Sequence, residues 1–344
     1  MGITDADFVL KDRGISQSLD EFIVSIAFLR SGAAGFALGD GTLHIFRGEA
    51  WSSASPHQGG ILTMAAAGDA WLTGGDDGRL CRTSPDGIVT EIAGFGSKWV
   101  EQVAGWSDAK TTLAACAVGK AVHVFQADGT KLPKKLKELP HASTVSGVAF
   151  DAKGKRIAAS HYGGCTLWFV SAKVDSPRLL EWKGSHLGVA IHPTAEAVVT
   201  SMQENALHGW RLSDGQHMRM SGYPAKTESM SFSRTGKWLA TSGAESIVMW
   251  PFFGGGPMGK APTELAGGDN VTCTRVAFHP QQDMVAAGFS DGLVVVADVA
   301  SERILPMAAA GRGPVSALAW SPDGTRLAFG TETGFAALVD LGKR

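Results

Sequence analysis

The chain has 344 residues, 44% of them hydrophobic and 19% charged, enough for one large or two medium packed domains. Its formal net charge of −2 gives no global field that would draw it to nucleic acid or to an anionic membrane. The opening "MGITDADFVLKDRG" has no basic segment followed by an apolar run, and no stretch approaches the ~18 uninterrupted apolar residues of a membrane span, so a cytoplasmic protein without membrane contact is expected.

In chain order, "DFVLKDRG" (7–14) reads as a stray outer strand, after which eight similar units follow. Each begins with a strand that closes at Phe28, Ala65, Trp106, Phe150, Ile191, Phe232, Phe278 or Trp320, a period of about 42 residues. Seven residues on comes a second apolar run, such as "LTGG" from Leu72, "IAAS" from Ile157, "VVTS" from Val198 or "LAFG" from Leu327. Each is too short for a helix. Turns such as "GDG", "GDDG", "HYGG" or "SDG" follow, then third strands such as "TLHIF", "CTLWF", "IVMW" and "LVVVAD". Glycine and asparagine tolerate the positive φ of tight hairpin turns, so strands of four to six residues joined by Asp-Gly sequences predict antiparallel hairpins. Cys81, Cys116, Cys165 and Cys273 are far apart with no CxxC pair, which fits reduced thiols inside strands.

The residue before each closing position is Ala27, Met64, Gly105, Ala149, Ala190, Ser231, Ala277 or Ala319, small in seven of eight units. Small side chains are needed where the innermost strands of radially stacked sheets crowd together. With the unit "VSGVAFDAKGKRIAAS…CTLWF" and its relatives, the chain resembles the WD-repeat (Trp-Asp repeat) β-propeller family over residues 7–342, with degenerate repeats. The family's Trp position is held by Phe46, Thr83, Phe125, Trp168, Trp210, Trp250, Ala297 and Val339, and its Asp position is kept only by Asp298 and Asp340. Family blades often carry a His before the first strand that bonds an Asp in the second turn; His141 faces Gly163 there, and His57 meets Asp77 only with a one-residue slip.

The resemblance implies one all-β propeller domain spanning 1–344. Eight four-stranded blades are expected, with seven, the commonest family number, as the alternative. The last unit, "FAALVDLGKR", has no chain left for an outer strand, so pairing of an N-terminal strand with the last blade should close the ring and leave no open edge.

Motifs with chemistry are sparse. "GGGPMGKA" (254–261) holds G-x-x-x-x-G-K, but Ala261 follows Lys260 and no helix pattern follows, so a loop is expected rather than a phosphate site. "KLPKKLKELP" (131–140) lacks interleaved aromatic residues and reads as an edge strand protected by Lys and Pro. There is no G-x-S-x-G and no H-E-x-x-H, so an enzyme is the least favoured class and no cofactor is expected. The upper-face loops carry His141, His161 and His186, a candidate imidazole set for a metal in handling or regulation. They also carry Trp99, Tyr162, Glu204 and Arg312, candidate anchors for a protein partner. The expected function is a non-enzymatic scaffold, a monomeric ring that binds another protein, with the metal-binding rim as the alternative.

Overall fold

The fold follows from the hairpin chemistry of the repeats. In the computed structural model, which describes residues 6–128 and 132–342, the unit at 273–308 shows the pattern plainly. Cys273–Phe278, Met284–Phe289, Val294–Asp298 and Ile304–Ala308 pair antiparallel in sequence order, with Ala277 opposite Ala286, Ala286 opposite Val296 and Val296 opposite Leu305. Its second turn is set by Gly292 at φ +94°, a left-handed conformation that a side chain resists, and by the Asp291 carboxylate accepting the Leu293 N–H at 2.9 Å.

The described strands make seven sheets, six of four strands and one of six. This corrects the expectation of eight separate four-stranded blades. The fourth and fifth units are fused in the six-stranded sheet, whose members Arg156–Phe169 and Arg178–Ile191 are each 14 residues long. Lys155 O nevertheless accepts the Val170 N–H at 2.9 Å, whereas a straight strand would hold these residues ~50 Å apart. Arg156–Phe169 therefore doubles back on itself, turning at Gly163 and Gly164. Arg178–Ile191 pairs with that hairpin through Arg178–Ser185 and with Ala197–Met202 through His186–Ile191.

The innermost strands contact one another in a closed cycle. Ile23–Phe28 lies beside Ile61–Ala66, followed by Gln102–Ser107, Val145–Phe150, the end of Arg178–Ile191, Met230–Phe232, Cys273–Phe278 and Val315–Trp320, which returns to Ile23–Phe28. The crowding read from the small residues is real: a Cβ on Gly105 would lie 2.3 Å from Ala66 O of the neighbouring inner strand. Between sheets, all eight residues at the family's Trp position are buried, from Thr83, Ala297 and Val339 at 0% exposure to Trp250 at 7%. On the face opposite the second turns, single hydrogen bonds link neighbouring units: His192 Nε2 to Gly236 O at 2.9 Å, His279 Nε2 to Gly324 O at 3.0 Å and Trp106 Nε1 to Ala152 O at 3.1 Å.

Closure pairs the two ends of the chain, with a corrected register. Residues 8–13 are a short helix, Phe8–Arg13, and the strand that joins the last sheet is Gly14–Ser18, Ile15 opposite Leu338. Asp7 caps this arrangement with a two-pronged ion pair to Arg312, at 2.6 and 3.0 Å. The seam is also apolar: Ile23, Phe28 and Phe36 pack with Ala317, Ala328 and Leu338 in one cluster. None of the helices among the described residues is long and apolar enough to cross a membrane.

Candidate binding rim

The fused sheet brings most of the sequence-selected rim residues together. Tyr162 sits at the second turn of the fourth unit with 65% of its surface exposed. On one side of it is a cleft of about 370 Å³, lined by Trp182, Lys183, Met202, Glu204, His208 and Arg219 as well as Tyr162 itself. On the other is a cleft of about 280 Å³, lined by His141, His161, Tyr162, Trp168, Pro177 and Leu179. Leu179 is 59% exposed, so an apolar edge continues from the second cleft onto the outer strand.

The walls of these clefts are held by a network of rings. Trp182 stacks on His208 with centroids 3.9 Å apart, and His208 Nε2 meets His217 Nδ1 at 2.9 Å. Trp182 O also faces His186 Nε2 at 3.0 Å, while His186 Nδ1 meets Thr200 Oγ1 at 2.7 Å. His161 is tied to Tyr162 O at 3.0 Å and to Thr166 Oγ1 at 2.8 Å, and Trp168 donates its indole N–H to His141 Nε2 at 3.2 Å. Burial pushes His141 down to about 4, helped by nearby His161, and pushes His208 down to about 3, helped by His217. These imidazoles are neutral structural groups at neutral pH.

That arrangement commits the candidate metal ligands to contacts inside the fold. All four ring nitrogens of His161 and His186 have partners inside the fold, and among the described residues no group of three His, Cys, Asp or Glu is placed to hold a metal ion. His141 and His161 line the second cleft, and His186 braces the Trp182 backbone carbonyl behind the first. The partner anchors divide. Tyr162 and Glu204 border the first cleft, where Glu204 accepts the Ser185 N–H at 3.2 Å. Arg312 is committed to Asp7 and lies over the Phe335 ring at 4.9 Å, at the seam of the ring and away from both clefts. Trp99 is 55% exposed and lines neither cleft.

Sequence reasoning missed Trp182 and His208, although "EWKGSH" and "LHGW" hold aromatic residues at positions flanking the second turns. It also understated the polar buttresses. His57 does reach Asp77 at 2.8 Å and Thr73 at 2.9 Å, so the one-residue slip is absorbed. Asp77 ends below its usual range because hydrogen bonds from His57 and Gln58 N outweigh its burial. In the sixth unit Tyr223 takes the histidine's part, accepting the Trp250 indole N–H and meeting Thr241 Oγ1, both at 2.6 Å.

Residues 276–343, which include three of the four strands of the closing sheet, match the family model described as the WD40 domain of anaphase-promoting complex subunit 4. The fold is a β-propeller, and its last units carry the similarity to WD repeats. No curated protein matches the sequence. The propeller is similar to the crystal structure of the computationally designed Ika8 protein at a TM-score of 0.74, with 94% of this chain and 98% of that chain covered and 16% sequence identity. At that identity the likeness concerns the propeller fold alone.

The remaining motifs of the propeller are structural. Lys260 of "GGGPMGKA" is held by Phe253 O and Gly256 O and lies 4.7 Å from the Phe253 ring centre, with no helix after it. Lys134–Pro140 is an outer strand paired to Ala121–Gln126, and Lys137 bonds Asp175 and Ala172 O; Lys131 of the same motif lies outside the described residues. The four cysteines are free and buried.

Proposed function

We propose that this propeller is a non-catalytic, cytoplasmic interaction platform that docks a segment of another protein on the rim of its fused sheet. The observation that carries the reading is Tyr162, 65% exposed between two adjoining clefts of about 370 and 280 Å³. Energy in protein interfaces concentrates in a few aromatic and charged anchors seated at pockets, and a rigid amphipathic ring costs little entropy to fix. Trp182 and Glu204 supply the second aromatic face and a hydrogen-bond acceptor. The similarity to a WD40 domain that is part of a multi-subunit complex supports the interaction class, without naming a partner.

The same proposal takes the whole chain as one domain whose ring counts eight repeat units, the fourth and fifth sharing a sheet. Support comes from the cycle of eight inner strands and from the return of Arg156–Phe169 on itself. The site is tested by placing a photo-crosslinking residue at Tyr162 and, separately, at Trp99, in the protein expressed in its native cell. Crosslinks to one stoichiometric protein from position 162 support the rim. The same partner crosslinking from Trp99 and never from 162 moves the interface elsewhere.

A further inference from the structure

The fused sheet has a second feature at its other end. Arg156 starts the hairpin strand that reaches His161 and Tyr162, so it lies ~17 Å away, on the opposite face of the ring. There its guanidinium lies 5.3 Å from the Phe169 ring centre, a cation–π contact that restrains its orientation. Arg156, Arg178 and Arg211 line a hollow of about 420 Å³, and Arg156, Lys153 and Lys155 line an adjoining one of about 260 Å³.

The acids nearby are already engaged. Asp151 accepts the backbone N–H groups of Lys155 and Arg156 at 2.8 and 3.1 Å, Glu196 accepts the Thr194 hydroxyl at 2.8 Å, and Asp214 pairs with Arg211 at 2.9 Å. Among the described residues, neither Arg156 nor Arg178 forms an ion pair; the Arg156 guanidinium contacts the Phe169 ring, and Arg178 is tied to the fold through its strand pairing with Leu167. Two guanidinium forks without ion-pair partners, in a hollow that Glu196 also lines and two lysines flank, form an electrostatic mould for anionic groups spaced along a chain.

We propose that this hollow is a second docking surface that takes an acidic, carboxylate-rich segment of a partner protein. A protein segment fits better than a nucleic acid on two grounds. The chain carries a net charge of −2, which gives no global field toward a phosphate backbone. Phe169, the aromatic ring at the site, is 48% exposed but has the Arg156 guanidinium over one face, which a base stacking there would have to displace. The inference stands apart from the Tyr162 rim, because the two sites are at opposite ends of the same strands.

The test titrates the whole protein with a fluorescein-labelled decaglutamate peptide at low salt, and in parallel with a labelled single-stranded deoxyoligonucleotide of ten bases. The expected result is saturable peptide binding that weakens at least tenfold in Arg156→Gln/Arg178→Gln, stays unchanged in Tyr162→Ala and falls as salt rises. Near-ultraviolet circular dichroism of the Gln variant checks that the ring is intact, and Arg178→Gln alone, on an exposed strand, provides a milder second variant. No saturable peptide binding, equal binding by wild type and an intact Gln variant, or tighter binding of the oligonucleotide than of the peptide would each overturn the assignment.

Discussion

Asp7 and Arg312 form a two-pronged ion pair, 2.6 and 3.0 Å long, although 305 positions separate them in the chain. The contact fastens the segment before the closing strand to the loop between the last two units. Arg312 holds Asp7 below the usual carboxylate range through its hydrogen bond, against the opposing effect of burial. The pair is therefore a stabilising clasp across the seam of the ring. Replacing Arg312 by Ala should cost about 1.5–3 kcal/mol, the range for hydrogen bonds to charged groups. Because the folded pKa of Asp7 is depressed, its contribution is present above pH ~4 and is lost as pH falls through the folded value. Thermal melts of wild type and Arg312→Ala should differ at pH 7 and draw together as pH falls below the ordinary carboxylate range.

Closure itself resides in Gly14–Ser18. Deleting residues 1–13 removes the Asp7 clasp and the buried Leu10 but leaves the closing strand, so a monomer with a lowered melting temperature is expected. Deleting residues 1–18 also exposes the edge of Phe335–Asp340, and light scattering should then report association. A monomeric 19–344 fragment with an unchanged melting temperature would disprove terminal closure.

Trp210 is 2% exposed, stands between sheets and donates its indole N–H to Glu181 O at 3.3 Å. Trp210→Ala should cost about 3–5 kcal/mol by the cavity it leaves, with Trp168→Ala and Trp250→Ala in the same range. Chemical denaturation measures it. A small loss would mean that the between-sheet position does not carry the packing assigned to it.

The ring's pH limits should come from its histidines as well as its acids. His208 and His141 are pushed down to about 3 and about 4 by burial, from an ordinary value near 6.5. A histidine kept neutral in the fold contributes stability above pH ~6.5, and that contribution shrinks as pH falls from there to the folded value. Melting temperature should decline between pH 6.5 and 4, and His208→Gln should flatten the decline. The thiols give a companion check: burial pushes Cys81 up to about 11 and Cys116, Cys165 and Cys273 up to about 12, so Ellman's reagent at pH 8 should find thiols only after denaturation.

The ring is legible in the sequence because its signals are local and repeated: the closing positions, the Asp-Gly turns and the small residue at the crowded inner strand. What escapes depends on partners distant in sequence. Residues 8–13 form a helix that buries only Leu10, too little apolar periodicity to separate it from a strand, though Lys11 and Arg13 do suit a helix C-terminus. The fusion of the fourth and fifth units is hidden because "HYGG" and "WKGSH" replace the Asp-Gly punctuation with glycines whose freedom lets pairing run on. Arg312 reads as a free rim cation because nothing near it in sequence reveals Asp7. The three histidines read as facing one patch, and spacing, which places loops, does not say which way ring nitrogens point.

The measurement that bears most directly on the platform is partner retention by rim variants of an otherwise intact ring. The partner captured by a photo-crosslinking residue at position 162 is purified and titrated against wild type, Tyr162→Ala, Trp182→Ala and Trp99→Ala by calorimetry. The account requires a loss of about 2 kcal/mol or more for Tyr162→Ala, the scale of an interface hot spot, with Trp99→Ala near neutral. Full affinity in Tyr162→Ala and Trp182→Ala, with melting temperatures preserved, would contradict it.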